Sequence, residues 1–185
     1  MTTSFNLTLF FALGFAALAP AAEIPNRLID YQKFEKDAQK VGELRAQRRV
    51  TEEQFLQLAA EPGTVIYDAR TKDKFEMLHV KGARHLALTD VTAEELAKVF
   101  PSQRTRILIY CNNNFLNEPR AFASKSAGAS LNIYTFNTLY SYGYTNVYEL
   151  GPLTDIRASK LPMEGTRVTT GLRREGEQKP ANPAR

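Results

Sequence analysis

The pattern of apolar and polar positions predicts strands and helices that alternate along the chain. Four short apolar runs, each bounded by polar or turn residues, are typical of buried strands; they cover residues 65–67, 84–88, 107–110 and 146–150. Between these runs, apolar residues recur at helical spacing. Strands alternating with helices predict an α/β fold in three layers, with a mostly parallel central sheet and helices on both of its faces.

Capping residues indicate where the helices begin and end. The sequence "TEEQ" at residues 51–54 has the form of a capping box, in which the Thr and Gln side chains satisfy two backbone N–H groups. Thr92 begins a second helix in the same way. A third pattern over residues 131–142 ends at Gly143. A weaker helical pattern over residues 30–47 predicts an accessory helix on the outside of the domain.

The two ends of the chain differ from its middle. Residues 8–18 are apolar but too few to span a bilayer, and small residues follow them, so we predict a secretory signal peptide over residues 1–22. A periplasmic or secreted protein follows, without stable membrane insertion after cleavage. We expect an accessory segment over residues 23–47 and one domain over residues 48–163. Residues 164–185 are rich in Gly, Pro and charge, which predicts a flexible tail.

Composition narrows the possible partners. The formal net charge of +4 is modest, so nothing supports nucleic-acid binding. The one cysteine cannot form an internal disulfide. No cluster of His, Cys, Asp and Glu has the spacing of metal ligands, so we expect no metal site.

The single cysteine, Cys111, directly follows the apolar run at residues 107–110 and begins the sequence "CNNNFLNEPR". In parallel α/β folds, ligands bind outside the carboxyl ends of the strands. Backbone N–H groups and a helix start at that position would favour the thiolate and hold an anionic substrate. Cys111 is therefore either a nucleophile or a small buried hydrophobic residue.

The sequence "DARTKDKFEMLHVKGARHL" contains Asp68, Arg70, His79 and Gly82 in a fixed order. Together with the later "YC" and "YGYTNVYELGP", it resembles the rhodanese-like domain family over about residues 50–152. The resemblance implies that family's three-layer fold, with a central sheet of about five strands.

The resemblance also implies sulfur transfer. Cys111 would attack the outer sulfur of a small anionic donor such as thiosulfate, form a persulfide and pass the sulfur to cyanide or a thiol acceptor. No cofactor is implied. Asp68 and Arg70 would anchor adjacent loops through an ion pair, and His79 would tie the following turn, which contains Gly82, to the backbone.

The segment at residues 111–130 departs from the family pattern, in which a loop of about six residues leads directly into the next helix. Such a long loop predicts a lid over the substrate or a docking surface. Arg120 and Lys125 are candidate cations for a sulfur oxyanion. Side-chain amides that suit an anion-binding turn are supplied by Asn112, Asn113 and Asn114.

Other functions stay open beside sulfur transfer. A non-catalytic rhodanese-like module would dock a partner protein or carry sulfur for it. A Cys-dependent phosphatase or arsenate reductase needs five residues between its Cys and Arg, whereas eight separate Cys111 from Arg120. A Cys–His hydrolase is disfavoured, because His79 and His85 both lie in the segment that resembles family scaffold.

Overall fold

The computed structural model describes residues 26–169, in which a compact unit begins at Tyr31. Three 3-10 helices lie between the main elements, at Leu88–Asp90, Asn112–Asn114 and Ala127–Ala129. The α-helices and strands of this range are, in chain order, α1 (Tyr31–Arg48), β1 (Arg49–Val50), α2 (Glu52–Ala60), β2 (Thr64–Asp68), α3 (Lys72–Met77), β3 (His79–Val80), β4 (Arg84–His85), α4 (Ala93–Val99), β5 (Arg106–Tyr110), β6 (Phe115–Leu116), α5 (Leu131–Ser141), β7 (Val147–Leu150), β8 (Thr154–Asp155), β9 (Met163–Glu164) and α6 (Thr166–Thr169).

The central sheet has five strands in the order β1-β7-β5-β2-β4, and every neighbouring pair is parallel. β5 lies at its centre and pairs with β2 along its whole length, from Arg106 opposite Thr64 to Tyr110 opposite Asp68. A central parallel strand is buried on both faces, which is why its sequence "RILIY" is almost continuously apolar. The predicted α/β fold with a parallel sheet of about five strands is confirmed.

Two apolar cores cover the two faces of this sheet, because successive side chains of a strand point in opposite directions. Ile107 and Ile109 of β5 pack with α1, α4 and α5 on one face. Leu108 and Tyr110 pack with α2, α3 and the segment after β5 on the other. The helices on both faces form the three layers that the sequence predicted.

The predicted helix starts are present. Thr51 accepts a hydrogen bond from the N–H of Gln54 at 3.2 Å and donates its own N–H to the Gln54 side chain at 2.9 Å. Thr92 caps α4 by accepting from the N–H of Glu95 at 3.2 Å. The strand predicted over residues 84–88 is shorter than expected, because only its first two residues pair with β2 before a 3-10 turn begins.

Helix α1 packs on one face of the domain and contributes one buried residue to its core. Val41 is 3% exposed and packs in the same cluster as Phe136 of α5. Arg45 forms an ion pair with Glu149 of β7. The chain then continues as edge strand β1, in which Arg49 lies opposite Glu149. Most of α1 belongs to the segment predicted as accessory and packs on one face of the sheet, whereas the edge strand β1 lies within the range predicted as the domain.

The ends of the chain test the predicted boundaries only in part. Residues 1–22, the predicted signal peptide, lie outside the described residues, as does most of the tail predicted over residues 164–185. Glu164, however, pairs with β3 as part of β9, and Arg167 of α6 bonds Glu118 at 2.8 Å. Residues 164–169 therefore belong to the folded domain and not to a flexible tail, which the sequence did not predict because a two-residue strand and a single helical turn give no periodic pattern.

The sheet buries one tyrosine hydroxyl on each face. Tyr67 donates to the Leu86 carbonyl at 2.8 Å, and Tyr110 donates to the Asp68 carboxylate at 2.5 Å while accepting from the Val80 N–H at 3.1 Å. Burial, and after it the charge of Asp68, raises the pKa of both phenols well above the ordinary value. Each tyrosine therefore binds its proton more tightly in the folded state than in the unfolded chain.

This difference predicts alkaline destabilisation. A raised folded-state pKa contributes stability that is complete below the unfolded pKa of about 10 and is lost as the pH rises towards the folded value. Above pH 10 each tyrosine should lower the free energy of unfolding by about 1.4 kcal/mol per pH unit. Urea denaturation from pH 9 to 11 should give a shallower dependence for Tyr67→Phe and for Tyr110→Phe than for wild type. Parallel curves for all three proteins would contradict the burial of these hydroxyls.

Candidate active site

Cys111 lies at the carboxyl end of the central strand, where it directly follows β5. Its side chain is 1% exposed. The N–H of Asn113 donates to Sγ at 3.4 Å, and the Ser130 hydroxyl lies 3.5 Å from the same atom. One backbone donor and one hydroxyl therefore adjoin the sulfur, but a substrate reaches it only when a neighbouring segment moves.

Ser130 was not predicted as a site residue. It occupies the N-cap position of α5, where a serine hydroxyl ordinarily accepts a bond from the helix backbone. Here it makes no such bond and faces Cys111 instead. The sequence gives no signal for this choice, because a serine before a helix predicts a cap.

The side chain of Asn114 holds the start of the loop to the end of the sheet. Its Oδ1 accepts from the Cys111 N–H at 2.9 Å and from Asn132 at 3.2 Å. Its Nδ2 donates to the carbonyls of Leu150 at 2.8 Å and Pro152 at 3.1 Å. All of its hydrogen-bonding capacity is used inside the protein.

Asn112 and Asn113 bind the far part of the same loop. Asn112 Nδ2 donates to the Ala123 carbonyl. Asn113 forms two bonds with the Lys125 backbone, donating to its carbonyl at 2.8 Å and accepting from its N–H at 2.9 Å. The amides of Asn113 and Asn114 bind other groups of the protein, whereas Asn112 also lines the cavity described below, so that substrate binding by these amides stays a prediction. Only the Asn113 main-chain N–H reaches the sulfur.

The loop divides into an anchored part, residues 112–122, and a covering part that fewer contacts hold. In the anchored part, Phe115 and Phe122 are each 1% exposed, and Glu118 pairs with Arg167. The covering part, residues 123–130, is mostly exposed and holds to the rest through Asn112, Asn113 and the Ser130 contact with Cys111. Any lid motion therefore belongs to residues 123–130 and not to the whole segment.

The candidate cations take different positions. Arg120 is exposed and does not line the cavity next to Cys111, and its carbonyl accepts a bond from Lys74 Nζ at 2.9 Å. Lys125 does line that cavity, as does Lys74 of α3, which was not predicted. Of the two predicted cations, Lys125 therefore lies at the cavity and Arg120 does not, and Lys74 is a further candidate there.

A buried ion pair underlies the anchored part of the loop. Arg70 Nη2 lies 2.6 Å from Asp68 Oδ2, and the two side chains are 3% and 0% exposed. The same guanidinium donates to the carbonyls of Ala121 at 2.9 Å and Leu78 at 2.7 Å. Burial alone would lower the pKa of Arg70, but the hydrogen bonds and charge of Asp68 outweigh it and hold that pKa above its ordinary value. The pair holds the loop at Ala121 and the segment at Leu78, which is the anchoring role that the resemblance implied.

His79 and Gly82 form a second structural contact. His79 Nδ1 lies 2.7 Å from the Phe75 carbonyl, and its other nitrogen lies 3.3 Å from Glu164. The Gly82 N–H donates to the same carboxylate at 2.8 Å, and this bond, foremost, lowers the pKa of Glu164. Gly82 has φ +78°, which favours glycine. These residues hold the turn after β3 and do not approach the sulfur.

A cavity of about 460 Å³ opens at the same edge of the sheet. The segments after β2 and β4, the loop after Cys111 and the start of α5 form its walls. Asn112 and Leu131 belong to the lining, so the cavity adjoins the residues that follow Cys111 and Ser130. Its position is the one at which parallel α/β folds bind ligands.

Residues 51–151 match the sequence model of the rhodanese-like domain, which is more than half of the chain. The chain belongs to the rhodanese-like domain family. A search of curated proteins returned no match.

Solved structures similar to this rhodanese-like domain share little sequence with it. The Alr3790 protein of Anabaena sp. is 20% identical with a TM-score of 0.46, covering 63% of this chain and 91% of its own. The BH2092 protein of Bacillus halodurans is 15% identical with a TM-score of 0.47, and the match covers 71% of this chain and 85% of its own. An EanB variant in complex with hercynine is 18% identical with a TM-score of 0.46, and the match covers 64% of this chain and 28% of its own.

Helix α1 lies before the range that matches the rhodanese-like family, yet it brings a charge to the active-site edge. Arg45 donates to both oxygens of Glu149, at 2.5 and 2.7 Å, from 104 residues away in sequence. Hydrogen bonding to Glu149 raises the pKa of Arg45 against the effect of burial, and the proximity of Cys111 contributes in the same direction. The one sequence signal was Glu149 itself, an acidic residue inside an apolar strand.

The described residues of this rhodanese-like domain contain neither a candidate membrane span nor a candidate metal site. Among the helices of residues 26–169, none combines the length and the apolar character needed to cross a bilayer. Within the same residues, no three His, Cys, Asp or Glu side chains cluster as metal ligands would.

Replacing Arg70 with methionine would leave the Asp68 carboxylate buried beside no cation. We expect the free energy of unfolding to fall by about 3–5 kcal/mol, as measured by urea denaturation. Arg157→Met is a matched control, because Arg157 pairs with Asp155 at the same spacing, at 3.0 and 2.8 Å, but on the surface. The control should lose little stability. Equal losses in the two variants would show that the Asp68 pair is not the buried anchor described above.

Replacing Asn113 with alanine would remove the two bonds that hold Lys125 over the loop. At about 1 kcal/mol for each of the two bonds, opening of residues 123–130 should become about thirtyfold more frequent. Cys111 should then react with iodoacetamide correspondingly faster than in wild type, where burial of the thiol should keep labelling slow. Asn146→Ala, which removes one exposed bond to the Arg104 carbonyl, is the control and should label at the wild-type rate. Unchanged labelling of Asn113→Ala would mean that this bridge does not control access.

Proposed function

We propose that this rhodanese-like domain is a sulfurtransferase that moves a sulfane sulfur from thiosulfate or a persulfide donor to a thiol or cyanide acceptor. Cys111 carries the sulfur as a persulfide. The observation that carries the proposal is the position of this single thiol at the end of the central strand, next to a backbone N–H and a hydroxyl, with a cavity that is lined by the adjacent residue Asn112.

The transfer takes two displacement steps. The Cys111 thiolate attacks the outer sulfur of thiosulfate, a new S–S bond forms, and sulfite leaves with the electron pair of the broken bond. An acceptor thiolate or cyanide then attacks the terminal sulfur of the persulfide, and Cys111 leaves as a thiolate. A covalent intermediate divides one difficult transfer into two easier ones.

The residues around Sγ support the anionic forms in this sequence. The Asn113 N–H and the Ser130 hydroxyl donate towards a negative sulfur in a water-poor site, where fixed donors are most effective. Lys74 and Lys125 at the cavity attract an anionic donor. Arg45 neutralises Glu149, whose carboxylate would otherwise be a buried negative charge at the same end of the sheet.

A second candidate function is a non-catalytic module that docks a partner protein or carries sulfur for it. The burial of Cys111 favours this candidate, because the sulfur is 1% exposed. A Cys-dependent phosphatase or arsenate reductase gains no support, since Arg120 is exposed and lies outside the cavity lining.

The proposal includes export to the periplasm or the cell exterior. Its support is the amino-terminal sequence alone, an apolar run followed by small residues. In that setting the partners would be a small anionic sulfur donor and a thiol acceptor, or a partner protein that supplies either.

Intact-mass spectrometry after treatment with thiosulfate tests the sulfurtransferase. We expect wild-type protein to gain the mass of one sulfur atom, peptide mapping to locate it on Cys111, and added cyanide to remove it. Cys111→Ser is the control and should gain nothing while remaining folded by circular dichroism. If wild-type protein gains no sulfur although Cys111 can still be alkylated, the non-catalytic module becomes the better account.

A further inference from the structure

The cavity beside Cys111 is larger than an inorganic donor needs. Its volume is about 460 Å³. Thiosulfate has five non-hydrogen atoms and displaces roughly five waters, or about 150 Å³ at about 30 Å³ each. Sites for organic ligands typically have volumes of about 300–1,000 Å³. The cavity therefore has space for an organic molecule.

The lining of the cavity is largely apolar. Hydrocarbon groups of a ligand would bury this apolar surface favourably, whereas thiosulfate and cyanide offer no such groups. Its apolar wall comes from the residues after β2 and β4, from the anchored and covering parts of the loop, and from the start of α5. These residues are Ala69, Ala87, Leu88, Ala121, Ala123 and Leu131.

The charge at the cavity has one sign. Lys74 on α3 and Lys125 on the covering part of the loop both contribute to the lining, and none of the lining residues is acidic. Lys74 Nζ lies 2.9 Å from the Arg120 carbonyl and 3.9 Å from the exposed Asp73 carboxylate, so part of its charge remains available to a ligand. An anionic group on the ligand would pair with one of these two ammonium groups.

The cavity lies next to the residues that follow Cys111 and Ser130, although neither Cys111 nor Ser130 belongs to its lining. Asn112, which follows Cys111, and Leu131, which follows Ser130, both line it. The Ser130 hydroxyl is 3.5 Å from Sγ. A small displacement of residues 123–130 would thus join the cavity to the thiol.

We propose that this cavity binds the sulfur acceptor, and that the acceptor is an organic thiol with a chain of several carbons and a carboxylate that pairs with Lys74 or Lys125. This inference rests on the sulfurtransferase proposed above. The acceptor thiolate attacks the terminal sulfur of the Cys111 persulfide, so that its own S–S bond forms, the S–S bond to Cys111 breaks, and Cys111 leaves as a thiolate.

A series of mercaptocarboxylates tests the proposal. Protein loaded with sulfur by thiosulfate is mixed at neutral pH with mercaptoacetate, mercaptopropanoate, mercaptohexanoate or mercaptooctanoate, and its discharge is followed by mass spectrometry. We expect the second-order rate constant to rise about threefold for each buried methylene until the cavity is filled. Mercaptohexanol, which lacks the carboxylate, should react about fivefold more slowly than mercaptohexanoate.

Variants separate the two parts of the recognition. Ala123→Phe fills the cavity from an exposed position and should abolish the dependence on chain length. The double variant with Lys74→Gln and Lys125→Gln should remove the advantage of mercaptohexanoate over mercaptohexanol and keep the length dependence. Lys72→Gln is the control, since Lys72 is on α3 outside the lining, and it should behave as wild type.

The outcomes distinguish this inference from the function on which it rests. If sulfur loads and the rate constants are flat along the series, the cavity does not select the acceptor although the sulfurtransferase stands. Discharge by a reduced protein dithiol but by no small thiol would also overturn it, in favour of a protein acceptor. If no sulfur loads, the S-methyl ether of mercaptooctanoate is titrated into Cys111→Ser protein by calorimetry. Binding that Ala123→Phe abolishes would support the site, and absence of binding would overturn it.

Discussion

The buried ion pair between Asp68 and Arg70 connects the segments that meet at Cys111. Asp68 is the last residue of β2, and its carboxylate accepts a hydrogen bond from the hydroxyl of Tyr110, the last residue of β5 before the cysteine. Arg70 donates to Ala121 in the loop and to Leu78 after α3. A buried charge is tolerated only where partners surround it. The ends of β2 and β5, the loop at Ala121 and the segment after α3 must therefore keep this arrangement, because a change would leave a buried charge without its partners.

The anchored loop covers Cys111 and buries its thiol, although the proposed sulfur transfer requires that a substrate reach it. Phe115 and Phe122 are held in the core beside Arg70, whose guanidinium carbon lies 4.2 Å from the centre of the Phe122 ring. The covering part, residues 123–130, depends on a few bonds from Asn112 and Asn113. The loop therefore has a buried part next to the sulfur and a short exposed part held by few bonds, and we expect opening to occur in the exposed part.

The sequence predicted what depends on local pattern. The parallel sheet, the helix that begins after Thr51 and the cysteine at the end of a strand all follow from periodicity and capping. It did not predict the partners of polar side chains, because an amide such as Asn114 serves a ligand or its own backbone equally well. The pair between Arg45 and Glu149 joins parts of the chain 104 residues apart, and the cavity is assembled from several segments, so neither leaves a local signal.

The central claim is that Cys111 carries sulfur at the end of β5. A crystal structure of protein treated with thiosulfate tests it most directly. The account predicts electron density for one additional atom bonded to Sγ, within hydrogen-bonding distance of the Asn113 N–H or the Ser130 hydroxyl and directed towards the cavity. An unmodified Sγ in crystals of protein whose thiol reacts with alkylating reagents in solution would contradict it.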